Sequence, residues 1–286
     1  MHKSSLTLVS VLRRRMTSKA ERDLADVAAI ITAMTDGERD FLLETVEAVL
    51  SDRCIGQVIL CVQESNTWVD SIVASILDDA RLELVRLPMG SPGATRNQCL
   101  RDVRMPWVAY CDGDDVWCSG KTKIQRDHAD VQGCDFVGAD HYLMDEAGEI
   151  RAFALANYIP MPSSWLVRSE IMRQQHFDES IHQGSDGEWW VRTTGLIRRS
   201  RCPKMLVRYR VRSGSVSAGT PSKKRKACIV AIASIPIVKE LILISSWCLW
   251  RLTRRNQYVW LKSWNTQYSP TRYGDDASDN FKTTSS

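Results

Sequence analysis

The sequence is poor in what would cross-link it covalently or anchor it outright. Its nine cysteines (54, 61, 99, 111, 118, 134, 202, 228 and 248) contain no CxxC pair. An odd number without a paired framework argues against both a disulfide scaffold and structural zinc, and for a reducing compartment. Several of these thiols lie in apolar segments, where they behave as small hydrophobes. Long apolar runs are missing near the start: "LTLVSVL", between Lys3 and "RRR", is too short for a secretory signal. A cytoplasmic location is the expectation. Acidic residues are almost missing from 198–262, which holds Glu240 alone against 16 Lys or Arg. That leaves 22 of the 38 basic and 33 of the 34 acidic residues for the rest. The basic stretch thus serves a separate purpose from an acidic body. A nucleic acid or an anionic membrane face is the kind of partner such a patch attracts.

What is present is enough for a sizeable core: 286 residues, 44% of them hydrophobic. "VAAIIT" (27–32), "QVILCV" (57–62), "LELVRL" (82–87) and "WVAYC" (107–111) are short apolar runs of strand length. Between them, "FLLETVEAVLSD" places apolar residues at 42, 43, 46, 49 and 50, which is helical spacing, and "TWVDSIVASILDDA" predicts a second helix. A third helix is expected from about Ala94 to Val103. Four strand–helix alternations with short connections predict a mostly parallel α/β sheet flanked by helices. Such sheets bind ligands at the carboxyl ends of their strands. The expected organisation is a polar lead-in (1–25), an α/β domain (26–220), a basic and apolar helical segment (221–265) and a disordered tail (266–286).

At the carboxyl end of the fourth strand stands "YCDGDDVW" (110–117), with three aspartates in four positions. Carboxylates this close repel one another unless something positive sits among them. A solvated turn is one reading, because Asp and Gly are ordinary turn residues. A divalent-metal site is the other, since hard cations take carboxylate oxygens.

The order of segments is more specific than any one of them. "VAAIITAMTDGERD", "VILCVQESN", "GATRNQCL", "WVAYCDGDDVW", "PSSWLVRSEIMRQQHFDESI", "SDGEWWVR" and "VRYRVRSGSVS" follow in turn over residues 27–217. This series resembles glycosyltransferase family 2, whose members transfer sugars from nucleotide sugars on a GT-A fold. The resemblance implies that Asp112 and Asp114 match a DxD motif holding Mg²⁺ or Mn²⁺, with Asp114 the direct ligand and Asp112 also supporting the donor. Such an ion neutralises the leaving diphosphate as a Lewis acid. Asp115 is expected to orient the sugar. Arg96 and Asn97 of the ARN-like segment are expected at the donor, with a salt-bridged structural Arg96 and a turn-capping Asn97 as the alternatives. Glu64 stands where the family usually reads the base with an aspartate, and the preceding Gln63 is a second departure.

Asp186 matches the catalytic base, a carboxylate that takes the acceptor hydroxyl's proton in an inverting transfer. As an alternative it caps the helix. Ser185 replaces the usual glutamate, and Glu188 stands for the later aspartate. Glu188, Trp189 and Trp190 are expected near the acceptor, although tryptophans at a helix start serve equally as core. Arg212 stands where a histidine is common; a permanent cation is a poor metal ligand, so a clamp on the diphosphate is expected instead. The partners so implied are a nucleotide-diphosphate sugar donor and a glycan or lipid-linked acceptor of cell-surface polysaccharide assembly, with no nucleic acid.

"ACIVAIASIPIVKELILISSWCLW" (227–250) is long enough to span a bilayer. Pro236, Lys239 and Glu240 lie at its middle, however, and each charge there costs roughly 2.5–3.5 kcal/mol on insertion scales. A helix lying peripherally on the inner membrane face is the expectation, with a soluble helix packed on the domain and a true span as alternatives. Two rival functions share the scaffold. A nucleotidyltransferase would favour a Gly-rich, Lys-containing loop after the first strand, whereas "TAMTDGERD" has one glycine and no lysine. A non-catalytic nucleotide-sugar-binding homologue is suggested by Gln63, Glu64 and Ser185.

Overall fold

Val27–Ala33 (β1) is apolar at all but one position and buried on both faces, the condition of a strand at the centre of a parallel sheet. The computed structural model describes residues 25–74, 76, 78–155 and 160–212, with the backbone of 228–231 and 257–260. After β1 a 3₁₀ turn at Asp36–Glu38 leads into α1 (Leu42–Leu50). There follow β2 (Ile55–Gln63), α2 (Trp68–Val73), β3 (Leu82–Leu87), α3 (Pro92–Leu100) and β4 (Trp107–Asp112). The strands pair in parallel in the order β3-β2-β1-β4. Register sets Thr32 of β1 beside Asp112 of β4, and Ala33 beside Val62 of β2, so three carboxyl ends finish level.

Two of the helices differ in extent from expectation. The second stops at Val73 because the chain turns into β3 through Asp79, whose carboxylate accepts from the Arg81 backbone N–H at 3.0 Å and its Nε at 2.9 Å. The third begins two residues early. Ser91 accepts from the Ala94 N–H at 3.1 Å, and Pro92 occupies a first-turn position that needs no N–H.

The second half widens the sheet with mixed strands: β5 (Val116–Trp117), α4 (Lys121–Gln132), β6 (Phe136–Met144), β7 (Ile150–Leu155), β8 (Leu166–Arg168), α5 (Ser169–Gln174), α6 (Ser185–Arg192) and β9 (Arg199–Arg210). β8 runs antiparallel to both β4 and β6, and β9 runs parallel to β6. β5 pairs antiparallel with β9, Val116 opposite Arg208, which brings the end of β9 up to the aspartate turn. One core cluster joins one sheet face to α1 and α2; the other joins the opposite face to α3, α5 and α6 through Tyr110, Phe136, Trp165, Phe177 and Trp189.

Within the segment expected to be helical, Cys228–Ala231 (β10) and Gln257–Trp260 (β11) are instead strands. β11 runs antiparallel along β7 and β10 parallel to β11. An edge strand offers unpaired backbone groups, and "CIVA" and "QYVW" are rich in residues that favour extension. The rest of that segment, the lead-in 1–24 and the tail 266–286 lie outside the described residues. No helix among the described residues is long and apolar enough to cross a membrane.

Candidate active site

The level ends of β1, β2 and β4 make a floor on which five segments meet: the turn after β4, the 3₁₀ turn after β1, and the starts of α3 and α6 with the end of β9. Arg208 and Arg210 alternate along β9, which puts them on one side of the strand, and Arg212 follows two residues beyond its end. Arg210 donates from Nε to the Asp114 carbonyl at 3.0 Å and from Nη2 to Glu44 at 2.7 Å. Arg212 donates from Nε to Asp114 Oδ2 at 2.5 Å and from Nη2 to Glu38 Oε1 at 2.8 Å. Protein cations therefore meet the turn at Asp114, Arg212 at its carboxylate and Arg210 at its carbonyl.

The aspartates divide by burial. Asp112 is about one-third exposed, and its Oδ1 accepts from Arg96 Nη2 at 2.6 Å and Thr32 Oγ1 at 3.2 Å. Among the described residues nothing donates to its Oδ2. Asp114 is buried against Arg212; burial pushes its carboxyl pKa up and the guanidinium pulls it back. Asp115 has no exposed surface. Its Oδ2 accepts from Ser163 Oγ at 2.5 Å and its Oδ1 from the Arg210 N–H at 3.0 Å. Burial, with the neighbouring aspartates, drives its pKa well up. The expectation that Asp115 orients a sugar is corrected: enclosed on every side, it ties the turn to Ser163 and β9.

The ARN-like segment also separates into two roles. Arg96 is buried, lies 5.9 Å from the Phe177 ring centroid, and grips Asp112. Burial works against its charge, but Asp112 and, behind it, Asp186 outweigh that, so its pKa moves up. Asn97 points the other way, to Phe177 and Glu179. Its expected contact with a donor is corrected to a structural clamp on the "FDE" segment, because both ends of its amide are engaged. Gly93, on the same helix, permits this approach: a Cβ there would lie 3.0 Å from Phe177 Cβ and 3.1 Å from the Asp178 carbonyl.

Asp186 is half-buried at the second position of α6, and the capping position is Gly184 at φ 84°, so Asp186 is not the helix cap. The aromatic pair that follows is core. Trp189 is fully buried and donates to the Gln175 carbonyl at 2.5 Å, and Trp190 is covered by Arg199 at 4.1 Å and by the Phe136 ring. Trp189 leaves no face open to a sugar, which corrects its assignment to the acceptor, whereas Trp190 stays half-buried. Glu188 is paired with Arg192 one turn on. Glu64 is exposed just beyond β2, at the open side of the floor.

Sequence reasoning missed Glu38, Arg210 and Ser163, which hold the turn from distant segments. One local signal was available for Glu38: "TDGE" is a capping box, with the Thr35 N–H donating to Glu38 Oε2 at 2.8 Å. Gly37 within it leaves room for Arg212, whose Nη1 would lie 2.2 Å from a Cβ at that position.

The residues present suit a divalent ion only as a shared site. No group of three or more His, Cys, Asp or Glu able to hold an ion exists among the described residues. A turn offering one partly exposed carboxylate and a second beside it fits an ion that takes one or two protein oxygens and completes its shell from a diphosphate.

The family described as glycosyltransferase like family 2 matches residues 25–220. Among curated proteins, an uncharacterized glycosyltransferase, MJ1057 of Methanocaldococcus jannaschii, is 20% identical over 211 residues, 67% of this chain and 72% of that one. Among solved structures, S. aureus TarS 1-349 in complex with UDP-GlcNAc superposes with a TM-score of 0.57 at 15% identity, over 68% of this chain and 61% of that one. The mannosyltransferase PcManGT of Pyrobaculum calidifontis, in complex with GDP-Man and Mn²⁺, gives 0.54 at 13% identity, over 68% and 59%. The chain thus spans about 60% of the length of the solved structures it resembles, and the likeness to them is one of fold.

Proposed function

The chain belongs to glycosyltransferase family 2, and from that premise we propose that it transfers a sugar from a nucleotide-diphosphate donor to a glycan or lipid-linked acceptor, with inversion, in cell-surface polysaccharide synthesis. The observation that carries this reading is the convergence of Asp112, Arg96 and Asp186 at the carboxyl edge of β1 and β4. Arg96 bonds Asp112 directly, and Asp186 lies near enough to favour its charge.

In this reading the diphosphate lies over the turn after β4. Asp112 and Asp114 would hold Mg²⁺ or Mn²⁺, which when bound supplies positive charge to the leaving diphosphate. Mn²⁺ beside GDP-Man in the mannosyltransferase PcManGT is consistent with such an ion. Arg96 fixes Asp112 and adds a permanent cation at the same edge. Glu64 is positioned to meet the base, where its longer chain sets a different distance than an aspartate would. Asp186 takes the proton from the acceptor hydroxyl as that oxygen attacks the anomeric carbon. Beyond Asp186, Glu188 and the half-buried Trp190 are the candidates for acceptor contact on α6. The basic and apolar stretch of 221–265 is proposed to hold the enzyme peripherally on the inner membrane face. Release of the protein from membranes by high salt supports this, and a requirement for detergent opposes it.

The test is a panel of nucleotide sugars screened by thermal shift with Mn²⁺, followed by turnover with the donor that stabilises most. Binding with neither hydrolysis nor transfer to any acceptor would favour the non-catalytic alternative.

A further inference from the structure

Arg212 engages two carboxylates at once, Asp114 at 2.5 Å and Glu38 at 2.8 Å, and all three side chains are nearly enclosed. Separate parts of the chain build this contact. The capping box at 35–38 aims Glu38, Gly37 clears space for the guanidinium, and the chain just past the end of β9, held by the Val211 N–H to the Met144 carbonyl at 2.9 Å, carries Arg212 to the turn. Asp114 is also the residue assigned as the direct metal ligand. Its Oδ2 is paired with a tethered cation.

We infer that Arg212 is a built-in counter-cation of Asp114, so that a divalent ion and a nucleoside diphosphate enter this site together rather than singly. The inference rests on the proposed donor reading and deepens it. A divalent ion arriving alone meets an Asp114 whose charge is satisfied, beside a guanidinium that repels it at close range. To bind, it must separate a buried pair and leave Arg212 with Glu38 only. A nucleoside diphosphate changes that balance. Its phosphate oxygens give the displaced guanidinium a fresh anion in fork geometry, while the Asp114 carboxylate becomes available to the ion. Glu38 keeps hold of Nη2 throughout and serves as the pivot. A histidine or a neutral side chain at 212 would not impose this coupling, because neither carries a permanent charge.

The experiment measures binding, with no turnover involved. Mn²⁺ alone, UDP alone and GDP alone are titrated calorimetrically into the full chain and into Arg212→Gln. The expected result has opposite signs: Mn²⁺ alone binds about tenfold tighter in Arg212→Gln, and the favoured nucleotide alone binds about tenfold weaker. Arg212→Lys, which keeps the charge, should stay close to the native protein for Mn²⁺ alone. If Arg212→Gln does not fold, Glu38→Gln/Arg212→Gln removes one buried carboxylate with its cation and carries the same expectation. Mn²⁺ binding that is no tighter in either variant overturns the inference, even where Mn²⁺ and nucleotide bind the native protein well. A native protein that binds neither UDP nor GDP in the presence of Mn²⁺ overturns the donor reading itself, a different outcome.

Discussion

Asn97 and Phe177, eighty residues apart, exchange two hydrogen bonds: the Asn97 amide nitrogen donates to the Phe177 carbonyl at 2.9 Å, and its oxygen accepts the Phe177 N–H at 3.0 Å. A third bond runs from the same amide to Glu179 at 3.0 Å. This clasp fixes the segment that leads to α6, and so it sets where Asp186 stands relative to Arg96. Asn97→Ala leaves a buried N–H and a carbonyl unpaired, and should lower stability by about 2–3 kcal/mol. Denaturant unfolding measures this. Unchanged stability with lost nucleotide binding would return Asn97 to the donor site.

Asp186→Asn keeps the shape of the side chain and removes its basicity. Nucleotide affinity should stay within about twofold, and the transfer rate should fall by roughly 10²–10⁴. Single-turnover kinetics with a bound donor separate the two effects, and full transfer activity removes Asp186 from the mechanism.

Asp114→Ala removes the carboxylate shared between Arg212 and the proposed ion. Mn²⁺-dependent nucleotide binding should be lost, with the metal-independent part retained through Arg96 and Arg212. Titrations with and without Mn²⁺ give the comparison, and an equal Mn²⁺ effect in the variant would exclude Asp114 as a ligand.

Trp189→Ala empties the middle of an aromatic cluster in which its ring lies 5.0 Å from Trp165 and 5.9 Å from Phe136. A loss of about 3–5 kcal/mol in unfolding free energy is expected. Were it a sugar-stacking residue instead, acceptor KM would rise with stability intact.

Lys121 is fully buried, its ammonium 4.1 Å from the Trp117 ring centroid and 3.3 Å from the Trp165 carbonyl. Burial lowers its pKa to about 7. Between pH 7 and the unfolded value near 10.5 the unfolded chain therefore binds the extra proton, and the native state gains stability as pH rises. Relative to Lys121→Met, the native protein should gain up to about 1.4 kcal/mol per pH unit above pH 7. Parallel stability curves for the two proteins from pH 6 to 9 would refute the depressed value.

The four strands and the helices between them were legible because their signal is local. Runs such as 27–33 are apolar at consecutive positions, and residues 42–50 repeat at helical spacing, so neighbours in sequence carry the whole message. The DGDD turn was placed at a strand end by the same logic. The second strand's Glu64 and the helix start at Asp186 likewise fell where their flanking elements put them. Trp189 was not legible, since an aromatic at a helix start reads alike whether it faces a ligand or a core.

Sequence by itself thus determined the alternating α/β order and the edge at which charge collects, because period and apolarity act over a few residues. Only the tertiary structure decided which carboxylate is open and which cation answers it. Asp115 is closed by a serine 48 positions on, and Arg212 reaches Asp114 and Glu38 across 98 and 174 positions. Those pairings depend on where β9 crosses the turn, and no local pattern encodes a distance of that kind.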